Sequence, residues 1–240
     1  AWFFDVSKEG DGIVDVTTDL VVLIQWECFP EQIIVYENDF EMIMASRWPT
    51  SITPTQFQKV TRLGQYPEYL HKYLADTILN VYCNGEMTYK IKGVHAKVSV
   101  RWDYQAPEGA GDTHYSIMRG TKANLVIKQG PEEGYKTTLY IEPNDKEGMD
   151  SFEGVIIANM ESISDQYPGL EILREDERWK VIVPEKYKIG HEAHFGQVME
   201  KYLRYLAQGS LPEWEVPNMI AKYYTCTEAL EMALQNKSSK

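Results

Sequence analysis

Asp15 and Asp19, four residues apart with Thr18 beside them, form the grouping in this chain best suited to chemistry on a hydroxyl group. On a helix, positions 15, 18, 19 and 22 share one narrow face, about 120° from an apolar stripe of Val16, Leu20, Leu23 and Ile24. Carboxylates at i and i+4 repel each other by roughly a few tenths of a kcal/mol on a plain solvent face. Local costs of that kind concentrate at functional sites. Such a carboxylate can accept a hydrogen bond from a substrate hydroxyl. If burial or its neighbour raises its pKa, it can also take that hydroxyl's proton. The competing explanation is favourable charge near a helix N-terminus, which suits Asp15 better than Asp19.

Other groupings are less specific. His191 and His194 stand at i and i+3 in Gly190-His191-Glu192-Ala193-His194-Phe195 and could share one helix face, which would suit a metal-dependent hydrolase. The zinc-protease pattern needs histidines four apart, and Phe195 occupies that position. Histidines packed at a helix start account for the pair as well. Lys90, Lys92, Lys97 and Arg101 form a basic row on alternating strand positions. It is either an anion site, with Lys97 and Arg101 on the substrate, or a solvated face paired with acidic neighbours. Cys28, Cys83 and Cys226 have no metal or CxxC spacing and read as free thiols, favouring a reducing, cytoplasmic compartment. No GxGxxG turn follows a strand; Gly109-Ala110-Gly111 leads into another strand rather than a helix, so it lacks the N-terminus that phosphate binding uses.

The elements that must position these groups can be read from periodicity. The spacing predicts helices over 11–27, in pieces over 50–74, over 149–166, from Phe195 to Gly209, and over 226–235, with Thr225 and Glu228 spaced as a capping box. Between about 78 and 142 the period shortens to two. Val94, Ala96, Val98, Val100 and Trp102 alternate with polar residues, and Asn84-Gly85 reads as a primed hairpin turn between strands 78–83 and 86–92. Further strands are expected at 113–118, 122–128, 137–142, 170–174 and 179–183, and the tail 236–240 is expected to fray. The whole is α+β: an open, predominantly antiparallel sheet of five or more strands, one face covered by helices from both chain ends.

Composition narrows the partners. A net charge of −12 over 240 residues argues against nucleic acid and against anionic membrane surfaces, and favours a small-molecule partner. No apolar run reaches membrane-spanning length.

The stretch from Glu9-Gly10-Asp11-Gly12 to Asp19-Leu20 resembles the start of the C-terminal domain in the glucose–fructose oxidoreductase / inositol dehydrogenase (Gfo/Idh/MocA) family. There a glycine-rich turn leads into a helix bearing Asp-x-x-x-His-x-x-Asp. Phe195 through Gly209, Pro217 and the run Tyr224 to Leu230 resemble the family's closing helices. The segments Gln25 to Pro30, Gly109 to Tyr115 and Gly190 to Phe195 look like a subgroup known as an oxidoreductase C-terminal domain.

The resemblance implies that residues 1–240 are one C-terminal substrate and oligomerisation domain. A separate N-terminal Rossmann domain would hold NAD or NADP and the catalytic lysine, leaving this chain inactive alone. It implies a sugar, polyol or related hydroxy compound as substrate and a homo-oligomer formed through the sheet. Position by position, Asp15 matches the family's first acidic residue, Asp19 stands where the family has its catalytic His, and Val22 replaces the last Asp. The two departures open a second possibility, a non-catalytic carbohydrate-binding or scaffold protein of the same descent.

Overall fold

The computed structural model describes residues 1–237, and in it the chain divides into two compact units, Ala1–Tyr104 with Gly209–Lys240, and Gln105–Gln208. In chain order the first unit contains helix α1 (Thr17–Cys28), the short α2 (Tyr36–Asp39), strand β1 (Phe40–Ile52), α3 (Pro54–Thr61), and strands β2 (Leu74–Ala75), β3 (Ile78–Ile91) and β4 (Val94–Val100). The second contains β5 (His114–Arg119), β6 (Ala123–Gln129), β7 (Thr138–Pro143), α4 (Met149–Ile163), β8 (Glu171–Glu175), β9 (Arg178–Ile182) and α5 (His191–Gln208). Helix α6 (Glu215–Lys237) returns to the first unit.

The α+β class and the antiparallel pairing are as expected, but the strands form two sheets rather than one. In the first, β3 pairs with β1 along its length and with β4 and β2 along its other edge. The second has the order β5-β6-β7-β9-β8. The segment 101–113 between β4 and β5 holds Pro107, Gly109 and Gly111 and forms no strand, so the ladder stops there.

Helices from both chain ends do cover one face of the first sheet. Val21 of α1 and Ala221, Ala229 and Ala233 of α6 pack with Met87, Tyr89, Ile91, Ala96 and Val98. The alanines bring α6 close to the strands. A second cluster joins Phe4, Ile52, Phe57, Leu70, Leu79 and Val81. In the other unit, α4 sets Met149, Ile156 and Phe152 against fully buried Trp179.

Several local expectations change. The Asn84-Gly85 pair is not a turn but lies inside β3. The hairpin comes later, at Lys92-Gly93, where both residues adopt positive φ (47° and 81°) and Ile91 pairs with Val94. Asn84 is instead a buried bridge. Its amide donates to the Trp48 carbonyl (3.1 Å) and Thr50 Oγ1 (2.9 Å), and its oxygen accepts from the Trp102 amide (2.7 Å). It thereby satisfies backbone groups freed by the β1 irregularity between Trp48 and Thr50.

Helix α6 begins 11 residues before the expected start, with Pro217 in its first turn, where the missing amide costs no bond. Thr225 is therefore mid-helix, and its hydroxyl bonds the Ala221 carbonyl (2.8 Å) rather than capping. Of the tail, residues 238–240 lie outside the described residues, while the Asn236 amide donates to the Ala45 carbonyl (3.2 Å). The α3 start behaves as its sequence indicates. Thr53 and Gln56 form a reciprocal capping box with Pro54 at the first position.

Candidate functional site

The segment leading into α1 is fixed by two glycines. The Gly12 amide donates to the Tyr82 carbonyl (2.9 Å), and a Cβ on Gly12 would come within 2.0 Å of the Cys83 carbonyl oxygen. A Cβ on Gly85 would meet the Ile13 side chain at 2.6 Å. Only hydrogen at both positions lets the turn lie flat on β3, in the stretch of its edge between β2 and β4. Turns over 11–16 then run into α1 proper at Thr17, whose hydroxyl donates to the Ile13 carbonyl (2.6 Å).

This clamp sets the rotation of α1. The buried face is Thr17, Val21 and Gln25, whereas Val16 is 54% and Leu23 37% exposed. The expected stripe thus sits about one residue's rotation from the real one. Asp15 and Asp19 are exposed, Thr18 and Val22 half-buried. Thr18 Oγ1 donates to the Asp15 carbonyl (2.8 Å), fixing the first turn. Among the described residues no ion pair neutralises either carboxylate, so both are open to accept hydrogen bonds from a hydroxylated ligand.

Lys97 and Arg101 are not brought to this face. On β4, Ala96 and Val98 point to the helices, so Lys97, between them, points to the opposite side of the sheet. Lys97 pairs with Glu86 (3.0 Å), Arg101 with Asp103 (3.2 Å), Lys90 with Glu41 (3.0 Å) and Lys92 with Asp39 (3.3 Å). The basic row is a paired, solvated face.

Two buried polar centres of this unit have no complete local signature in the sequence. Asp11, only 4% exposed, forms an ion pair with Arg47, whose guanidinium lies 4.2 Å over the Tyr82 ring. Burial lowers the Arg47 pKa, opposed by Tyr82 and Tyr73. Asp5, 3% exposed, accepts from the Ser7 amide (3.0 Å), Ser7 Oγ (2.7 Å) and the Tyr73 hydroxyl (2.9 Å), with Lys72 at 3.4 Å. Burial alone would raise its pKa; these donors and the Lys72 ammonium bring it down to about 2. The Gly10-Asp11-Gly12 run was the available signal for Asp11. Its partner Arg47 lies 36 residues away on β1, and nothing local announces it.

An open cleft of about 390 Å³ lies elsewhere in this unit, lined by residues that include Phe57, Tyr66, His71 and Asp76. Its Tyr66 hydroxyl is engaged with the Ile52 (3.1 Å) and Thr77 (3.2 Å) carbonyls, and none of the Asp15 face borders it. Among the described residues no three His, Cys, Asp or Glu side chains gather as metal ligands, and the His191 side chain lies outside the description. Gly109 and Gly111 stand in the loop before β5, with no helix after them, so this turn does not fit a dinucleotide phosphate. No described helix is long and apolar enough to cross a membrane.

The first unit thus combines an antiparallel sheet, flanking helices and a clamped turn with two exposed carboxylates, Asp15 on that turn and Asp19 on α1. Residues 1–234 match the family model described as "Putative oxidoreductase C terminal domain", and the chain belongs to that family, in line with the Gfo/Idh/MocA resemblance. It is also similar to a crystal structure described as that of a "putative oxidoreductase" from Parabacteroides merdae, with 53% identity and a TM-score of 0.95 over 98% of this chain. The chain spans about half, 54%, of that longer chain. No curated protein matches.

Proposed function

We propose that this chain is the substrate-side half of an NAD(P)-dependent oxidoreductase acting on a sugar, polyol or related hydroxy compound. The observation that carries the reading is the exposed Asp15, on the turn clamped by Gly12, with Thr18 and exposed Asp19 just after it on α1; the Gfo/Idh/MocA resemblance matches these positions to its substrate-handling residues. Oxidising an alcohol removes a hydride from carbon and a proton from oxygen. Asp15 orients the hydroxyl by accepting its hydrogen bond. Asp19 takes its proton once substrate and the cofactor-bearing half exclude water from the carboxylate. NAD or NADP would be held by an N-terminal Rossmann domain and would supply the hydride acceptor, and the isolated chain would then be inactive. The chain also contributes to a homo-oligomer through its sheet, where β1 leaves Ile43 and Met44 exposed. Titration of NAD(H) and NADP(H) against the 240-residue chain should give no tight binding; micromolar or tighter affinity would refute the assignment.

The Asp19 and Val22 departures favour a second reading, a carbohydrate-binding protein that has lost its chemistry. Asp19→His with Val22→Asp in the full two-domain protein separates the two. Sugar dehydrogenation by the unaltered protein removes the second reading, and activity only in the double variant establishes it.

A further inference from the structure

Helix α5 is 18 residues long and carries Phe195, Val198, Met199, Tyr202, Leu203 and Leu206 in one stripe, each between 52% and 64% exposed. A lone helix of this length is marginal in water, and its stability comes from burying such a stripe. The stripe has an internal symmetry. Its positions pair off about a point between Glu200 and Lys201: 195 with 206, 198 with 203, and 199 with 202. A two-fold axis through that point sets every apolar residue at the height of an apolar residue of an identical, antiparallel helix. This is the requirement for an isologous interface. The polar residues Glu200, Lys201 and Arg204 stay off the seam. The six side chains, each more than half exposed, supply an apolar centre for an interface of standard size, roughly 800 Å² per partner.

We infer that α5 is a docking surface for a second copy of this chain, the two helices packing antiparallel about Glu200 and Lys201. This interface is separate from the sheet-mediated association proposed above and independent of the chemistry at Asp15 and Asp19.

Light scattering and sedimentation of the 240-residue chain test it. The unaltered chain should be at least dimeric at tens of micromolar; with the sheet face blocked by Ile43→Lys it should remain dimeric, and adding Leu203→Glu, which forces a carboxylate into the seam, should weaken that association by about tenfold or more. Ile43→Lys on β1 should leave the α5 pairing in place. An equimolar mixture of Phe195→Cys and Leu206→Cys chains, oxidised gently, should give a cross-linked dimer in higher yield than either chain alone, which holds even if Leu203→Glu costs helicity. A monomeric Ile43→Lys chain, an Ile43→Lys dimer undisturbed by Leu203→Glu, or equal cross-linking in the mixture and in the separate chains would each overturn the inference.

Discussion

Gly12 sits against the Cys83 carbonyl so closely that a Cβ would lie 2.0 Å from the oxygen, and its own amide bonds the neighbouring Tyr82 carbonyl. This one contact holds the turn before α1 on the edge of β3, and through it the placement of Asp15 and Asp19. Gly12→Ala must move either the turn or the strand, because both atoms in conflict are backbone. The expected loss is about 3 kcal/mol or more by urea unfolding. Retained stability would show that the segment can lift from the strand without cost.

The Asp11–Arg47 pair should behave as a buried unit. Asp11→Ala leaves the Arg47 guanidinium, only 13% exposed, without its carboxylate, at a cost of about 3 kcal/mol. Replacing both, as Asp11→Leu with Arg47→Met, should cost clearly less than the sum of the two single changes. A double-mutant cycle with no coupling would mean the two side chains act separately.

Asp5 gives the chain an acid-sensitive element. Its pKa falls from 3.8 to about 2 on folding, so its stabilising contribution is complete above pH 4 and disappears as pH falls toward 2. Stability measured between pH 5 and pH 2 should therefore drop on acidification, and Asp5→Asn should flatten that part of the curve. An equally steep decline in the variant would assign the acid sensitivity to other carboxylates.

Thr53→Ala removes the hydroxyl that accepts from the Gln56 amide at the start of α3. About 1 kcal/mol should be lost, the usual magnitude for an N-cap. Gln56→Ala should add little beyond it, since the two side chains close the same box.

The sequence showed its repeats more readily than its exceptions. Val94 to Val100 alternated cleanly and formed β4, and Thr53-Pro54 capped α3 as their chemistry requires. β1 has no clean period-two signature, because two register shifts, one beside Pro49, break its alternation. Asn84-Gly85 has the composition of a hairpin turn, and only the tertiary approach of Ile13 makes a glycine necessary inside a strand. The apolar stripe of α1 is rotated away from its true inner side, which buries Thr17 and Gln25, polar residues that a hydrophobic stripe does not count. Asp15, Thr18 and Asp19 stand out by helical spacing, but the helix starts at Thr17, so Asp15 lies on the preceding turn and only Thr18 and Asp19 are on α1. Asp11 and Asp5 do not stand out, since their partners Arg47 and Tyr73 are distant in sequence.

The role given to α1 can be tested at Asp19 in the full two-domain protein. Asp19→Asn keeps the size of an exposed side chain, so the melting temperature should not change, while kcat/KM for the alcohol substrate should fall by about 100-fold or more, as loss of a general base requires. The pH–rate profile should lose its acidic limb in the same variant. Unaltered kcat/KM with an unaltered profile would contradict the assignment and remove Asp19 from the chemistry.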